Sequence, residues 1–342
     1  MSRYGYATVF CLCGLLCSAL VAASAWAGPK QPPPVRRDMQ VSFIAADFRN
    51  GGVVGVYRSF ERAAKLLGWQ VHTVNGRGDP NEIRRVAALV LERKPDGVVL
   101  GGFEPDHLGD LHKAFKARGI VLLGWHAGDR PGPTDKLFSN ISSEPLQVAD
   151  LATDYAMRDG QIGVVIFTDS QFAIATAKTQ RMVQRLEACA QCKVLSVEDL
   201  PIASAGKGME ARVRSLQRRF GAAWSHTLAI NDVYFDHINV PLNALGRKDI
   251  RNISAGDGSA KALGRIHSGL SQQVATVAEP LSRQGWQLVD ELNRAFSGQP
   301  PSLFVAPPLL ITPQLLQGSD DLNIELDFSY EEAYLRLWRQ MN

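Results

Sequence analysis

The sequence predicts an α/β protein built from doubly wound parallel sheets, on three observations. Short runs of β-branched and apolar residues alternate with longer amphipathic stretches at a spacing of roughly 25 to 35 residues. Such alternation places parallel strands side by side, with right-handed crossover helices on both faces. The chain's 342 residues suffice for about two domains, each able to bury its own core. Its composition, 45% hydrophobic and 21% charged, excludes a disordered, collagen-like or disulfide-scaffold chain. With 37 Lys+Arg against 34 Asp+Glu, the formal charge of +3 is too small and too evenly spread for a nucleic-acid groove or a polybasic membrane patch.

Residues 1–27 read as an export signal. Arg3 supplies the positive start, an apolar run covers about 9–23, and Ala25-Trp26-Ala27 has the small-x-small pattern of a cleavage site. Cleavage is expected after Ala27. The apolar run is shorter than the roughly 20 residues of a membrane-spanning helix, which disfavours an uncleaved anchor. The bulky Leu16 before Cys17 disfavours lipid attachment at that cysteine. Residues 28–38, with Pro29 and Pro32-Pro33-Pro34, form a stiff polar leader.

The strands expected in chain order are 41–46, 70–74, 97–100, 120–124, 162–167, 194–197, 227–230, 252–254 and 273–277, each a short apolar or β-branched run. Helices are expected between them, among them 53–67, 81–93 and 176–186. Three of the five cysteines leave with the signal, so Cys189 and Cys192 remain to form one disulfide. Their C-x-x-C spacing also fits a redox motif, which needs a strand before it and a helix after it. Here the helix comes first and the strand second, which favours a structural clip.

In parallel sheets, ligands bind at the loops beyond the strand C-termini. The first such loop is Asp47-Phe48-Arg49-Asn50-Gly51-Gly52, whose glycines permit close backbone approach at a helix start. Later loops hold Trp125-His126-Ala127-Gly128-Asp129, Asp169-Ser170-Gln171-Phe172, Asn231-Asp232-Val233-Tyr234, Gly256-Asp257-Gly258 and Ala278-Glu279-Pro280. The chain has no Gly-x-Gly-x-x-Gly and no Walker sequence, which removes the best support for dinucleotide or NTP binding. Gly-x-Ser-x-Gly is also absent, and the histidines show no metal-ligand spacing, so no cofactor, metal or catalytic residue is expected and the protein is not expected to be an enzyme. Carboxylates such as Asp257 and Glu279, brought together by folding, are the one route to a hydrolase.

Several segments in this order resemble the type I periplasmic solute-binding proteins, in particular their ribose- and galactose-binding branch. They are Phe48-Arg49-Asn50 with a helix ending Lys65-Leu66-Leu67-Gly68-Trp69, then Lys94-Pro95-Asp96-Gly97-Val98-Val99-Leu100, Ala229-Ile230-Asn231-Asp232 and Ala255-Gly256-Asp257-Gly258. The resemblance covers roughly residues 40–312. It implies two Rossmann-like lobes joined by a three-segment hinge near 142–144, 278–280 and 304–307. The first lobe would comprise 39–143 plus 280–303, the second 144–279 plus 304–315, and 316–342 would be an extension. It also implies a periplasmic monomer that closes on a small polar, sugar-like solute, with an ABC permease or a membrane sensor as its partner and no nucleic acid.

Carried over position by position, the resemblance assigns ligand contacts to Asn50, His126, Lys178, Asn231, Asp257 and Glu279, with Arg49 beside Asn50. The family's stacking aromatics are replaced by Gly52, Val53 and residues 203–206, so Trp125, Phe172 or Tyr234 would substitute. His126, Lys178 and Glu279 also depart from the family pattern, which opens the site to sugar acids, polyols and amino-containing solutes. Plainer roles stand beside these. Asn231 and Asp257 suit helix caps or turns, His126 and Lys178 suit solvent, Arg49 suits an ion pair with Asp47, and Trp125 and Phe172 suit a core.

In the tail, 317–321 is a polar linker, and Ser329-Tyr330-Glu331-Glu332 starts a helix. Its stripe of Tyr330, Ala333, Tyr334, Leu337 and Met341 is expected to pack on the second lobe, the alternative being a partner-docking helix. The leading function is that of a receptor for an ABC importer. A receptor presenting its solute to a sensor kinase or chemoreceptor is the alternative. A sugar-responsive transcription factor of the same core fold is disfavoured, because no helix-turn-helix precedes Met39.

Overall fold

The computed structural model describes residues 28–29, 33–317 and 329–339. The expected export signal with its cysteines, most of the tail linker and Met341 lie outside them. The chain runs β1 (Gln40–Ala45), α1 (Gly51–Leu66), β2 (Gln70–Asn75), α2 (Pro80–Arg93), β3 (Gly97–Gly101), α3 (Leu111–Ala117), β4 (Val121–Trp125) and β5 (Asn140–Ile141). It continues through α4 (Pro145–Met157), β6 (Ile162–Thr168), α5 (Ala173–Glu187), β7 (Cys192–Asp199), α6 (Ala205–Phe220), β8 (His226–Ala229), α7 (Val233–Ala244), β9 (Arg251–Ser254), α8 (Ala260–Ser268) and β10 (Gln273–Ala278). It closes with α9 (Leu281–Phe296), β11 (Leu309–Ile311), α10 (Pro313–Leu316) and α11 (Ser329–Arg339).

Two sheets result, ordered β2-β1-β3-β4-β5 and β11-β10-β9-β8-β6-β7. All pairings are parallel except β10 with β11. In both sheets the strand order reverses, at β1 and at β6, and the loops at such a reversal open into a crevice. The chain passes between the lobes after β5, after β10, and between α9 and β11. α9 rejoins the first lobe, where Trp286, Val289 and Leu292 share a core with Phe43, Val56 and Phe60. The second lobe has its own core around Phe167, Met182, Trp224 and Phe235. β5 and β11 escaped the sequence reading because two or three residues carry no measurable periodicity.

Local chemistry starts several of these helices. Asn50 caps α1 by accepting from Gly52 N–H, Asp79 caps α2 ahead of Pro80, and Ser259 caps α8. Cys189 and Cys192 are disulfide-bonded between α5 and β7. The end of the leader lies on the first lobe, where Arg36 N–H donates to Asn293 and Ser297 donates to the Pro34 carbonyl.

The tail corrects the sequence reading. α11 packs on α9 of the first lobe, not on the second lobe. Trp338, which the expected stripe omitted, stacks on Trp286 at 5.4 Å and 9° and donates its indole N–H to Asp290 over 2.8 Å. Tyr330, Tyr334 and Leu337 are buried with it. The reason is complementarity: Trp286 of α9 meets the Tyr330, Tyr334 and Trp338 rings of α11. Among the described residues, no helix is long and apolar enough to cross a membrane.

Candidate functional site

The strand ends of the two sheets face each other across a cavity of about 90 Å³ lined from both lobes. Asp47 and Asn50 follow β1, and Trp125 and His126 end and follow β4; from the second lobe come Asp169, Phe172 and Lys178 after β6, Asn231 after β8 and Asp257 after β9. The lobes touch around it. Glu104 accepts from Ala173 N–H over 2.6 Å, and the His107 and Phe172 rings lie 5.7 Å apart. Asp257 approaches the start of α1 so closely that a Cβ on Gly52 would collide with its carboxylate.

Of the nine residues nominated from sequence, seven line the cavity: Asn50, Trp125, His126, Phe172, Lys178, Asn231 and Asp257. Asn231 both makes a side-chain turn ahead of α7 and faces the cleft, since its Oδ1 accepts from Val233 N–H while its Nδ2 donates to Asp257 Oδ2 over 2.6 Å. Lys178, expected equally in solvent, is 3% exposed, and its ammonium donates to the Ala255 carbonyl (2.9 Å) and to Glu279 Oε1 (3.3 Å). Trp125 is buried, donates its indole N–H to Gln284 and stacks under the His126 ring at 4.0 Å.

The other two nominations lie off the cavity wall. Arg49 folds back on Asp47 with an N–H···O distance of 2.6 Å, and its side chain is 66% exposed. The adjacent carboxylate outcompetes the cleft for its guanidinium. Glu279 sits behind the wall, where it accepts from His126, Lys178 and the Ser143 N–H. It supports the wall residues and does not form part of the surface.

The electrostatics follow from burial and pairing. Burial pushes the Asp257 carboxyl up to about 6, against the pull of His126 and Lys178. Burial acts on Glu279 in the same direction, yet the charges of His126 and Lys178 and the hydrogen bonds from His126 and Ser143 hold it well below the usual carboxylate range. Burial also raises Asp169. His126, Asp257 and Glu279 could together offer ligand atoms to a metal ion. The Lys178 ammonium already brings positive charge to that cluster, so the arrangement suits hydroxyl recognition better than a divalent cation.

The sequence reading missed Asp232, Ile83, Ile202 and His107. Asp232 is fully buried and accepts from the N–H groups of Asp257, Gly258 and Ser259 and from Gln273 and Thr276, so it fixes the loop that presents Asp257. Its place in Asn231-Asp232 was visible, but its partners were not. Ile83 and Ile202 line the outer end of the cavity and carry no motif.

Residues 41–300 match the family model described as periplasmic binding protein domain. Among curated proteins, no sequence matches the chain. Solved structures with a similar fold include a sugar ABC transporter protein of Yersinia enterocolitica, 14% identical, with a TM-score of 0.75 over 90% of this chain and 96% of that one. A 5-methylthioribose transporter solute-binding protein of Thermotoga lettingae, in complex with 5-methylthioribose, is 16% identical, with a TM-score of 0.73 over 91% and 100%. An ABC transporter solute-binding protein of Agrobacterium vitis with bound allitol is 17% identical, with a TM-score of 0.70 over 88% and 99%.

Proposed function

The chain belongs to the periplasmic binding protein domain family, and from that premise we propose that it is an exported receptor that closes its lobes on a small polar solute, a sugar or sugar derivative, for an ABC importer. The cavity lined by both lobes is the observation that carries this reading. At about 90 Å³ it is well above the ~10–15 Å³ that a single water needs, and it admits a small solute. Closure removes water, and every solute hydroxyl then needs a protein partner. Asp257 accepts, Lys178 donates, and Asn231 and His126 can do either. The sugar and polyol ligands of the similar folds from Thermotoga lettingae and Agrobacterium vitis support the same solute class. No covalent step is part of this proposal.

The test is thermal unfolding of the exported protein, refolded once to strip carried solute, against pentoses, hexoses, polyols, sugar acids and amino compounds. A true ligand at a thousand times its Kd adds ~4 kcal/mol of stability and shifts the midpoint visibly. Stabilisation by no sugar, sugar acid or polyol would overturn the reading. A stabilising solute consumed during incubation would replace it with an enzymatic one.

A further inference from the structure

We infer that the solute is two-ended: a hydroxyl-bearing end lies at the hinge side of the cleft, and a compact apolar substituent fills the outer side. This deepens the receptor proposal and rests on it. The strand order sorts the loops. In the first sheet β2 is the outer edge and β4 adjoins β5, beside the first crossing; in the second, β7 is the outer edge and β9 adjoins β10, which leads into the second crossing. The hinge-side wall is therefore His126, Lys178, Asn231 and Asp257. The outer wall is Pro80 and Ile83 after β2 and Ile202 and Ala203 after β7, with Phe172 and Ile174 beside them.

The carboxylates on the outer side are already engaged. Asp169 accepts from the N–H groups of Ile202 and Gln171 and from the Gln171 amide, and Asp47 holds Arg49. By contrast, Asp257 Oδ1 on the hinge side has no hydrogen-bond partner among the described residues, its other oxygen being the one that Asn231 occupies. The other polar side chains that line this side are Gln171, whose amide already donates to Asp169, and His107, whose ring packs against Phe103 and Phe172 and whose Nδ1 is buried. Between them they can meet a few heteroatoms, not a row of hydroxyls. A hydroxyl placed against Ile83 and Ile202 would lose its water and gain nothing, whereas a methyl or thioether group gains burial.

Calorimetry on the refolded protein with matched pairs tests this: D-ribose with 5-methylthioribose, D-galactose with 6-deoxy-D-galactose, and D-glucose with its methyl glycosides. The apolar-substituted member of at least one pair should bind about tenfold tighter or more. Ile202→Asn should cut that preference to about threefold or less. Equal binding within every pair that binds, tighter binding of the unsubstituted members, or an unchanged preference in Ile202→Asn overturns the inference while leaving the receptor proposal standing. Silence from both members of every pair, with no other solute bound, overturns both.

Discussion

His126 Nε2 lies 2.8 Å from Glu279 Oε2, so the loop after β4 in the first lobe is tied directly to the second crossing between the lobes. The same carboxylate accepts from Ser143 N–H at the first crossing and from Lys178 in the second lobe. One buried acid thus joins both lobes and two hinge segments, and it holds two of the cavity's polar side chains in place.

Replacing that acid should be costly. In Glu279→Gln the Lys178 ammonium, 3% exposed, loses its counter-charge, and leaving one partner of a buried pair uncompensated costs ~3–5 kcal/mol. Urea unfolding should show that loss, and solute affinity should fall because His126 is released. Glu279→Gln with Lys178→Met should recover most of the stability, since it removes both charges. A single variant within about 1 kcal/mol of the parent would contradict the pairing.

Acid should weaken solute binding through Asp257. Its carboxyl stands at about 6 in the fold against an ordinary 3.8, so the fold favours the protonated form. Its contribution to the stability of the free protein is therefore full below about 3.8 and is lost as pH rises through about 6. Solute hydroxyls donate to the ionised form, so affinity should rise with pH, by about tenfold between pH 5 and pH 7. Glu279, held low, stays ionised throughout that window. Calorimetry across it should give a slope in the parent and a flat profile in Asp257→Asn; equal slopes would remove Asp257 from the site.

The tail helix should matter for stability and not for binding. Trp338→Ala removes a buried ring stacked on Trp286 and should lower the unfolding free energy by ~3–5 kcal/mol. Trp338→Phe keeps much of the stack but withdraws the donor from the buried Asp290, at a cost of ~1–3 kcal/mol. Solute Kd should stay within about twofold of the parent in both; a larger change would link α11 to the cleft.

The disulfide should act as a modest clip. Cys189 and Cys192 are three residues apart, and so short a loop yields ~2 kcal/mol in the chain-entropy account. The double serine variant should lose about that much in denaturant and bind solute unchanged, because neither cysteine lines the cleft. A loss of affinity would give the pair a role that this placement does not.

Much of the fold and part of the site are legible in the residues. Alternating apolar runs and longer amphipathic stretches are short-range patterns, and the strand expected at 41–46 emerges as Gln40–Ala45 in a parallel sheet. The loops at the strand ends could be found the same way; within them the family resemblance singled out Asn50, His126, Asn231 and Asp257, and all four reach the cavity wall. Asn50 also caps α1 and Asn231 makes the turn into α7, roles that their residue type announces locally.

The partners of these residues are another matter. Lys178 reaches Glu279 across 101 residues, and His126 reaches it across 153. No periodicity within a segment encodes which distant segment will pack against it, so a lysine that looks solvated becomes a buried cation and a nominated ligand residue becomes the support behind the wall. The tail shows the same limit: its helix was plain from spacing, yet only its contact with Trp286 on α9 decided that it covers the first lobe. The sequence on its own thus established the βα alternation, the loops that carry polar groups and the helix starts, because each depends on neighbours within a few residues. Folding decided the cavity between the lobes and the pairing of its charges, because each depends on surfaces that meet only when the two lobes come together.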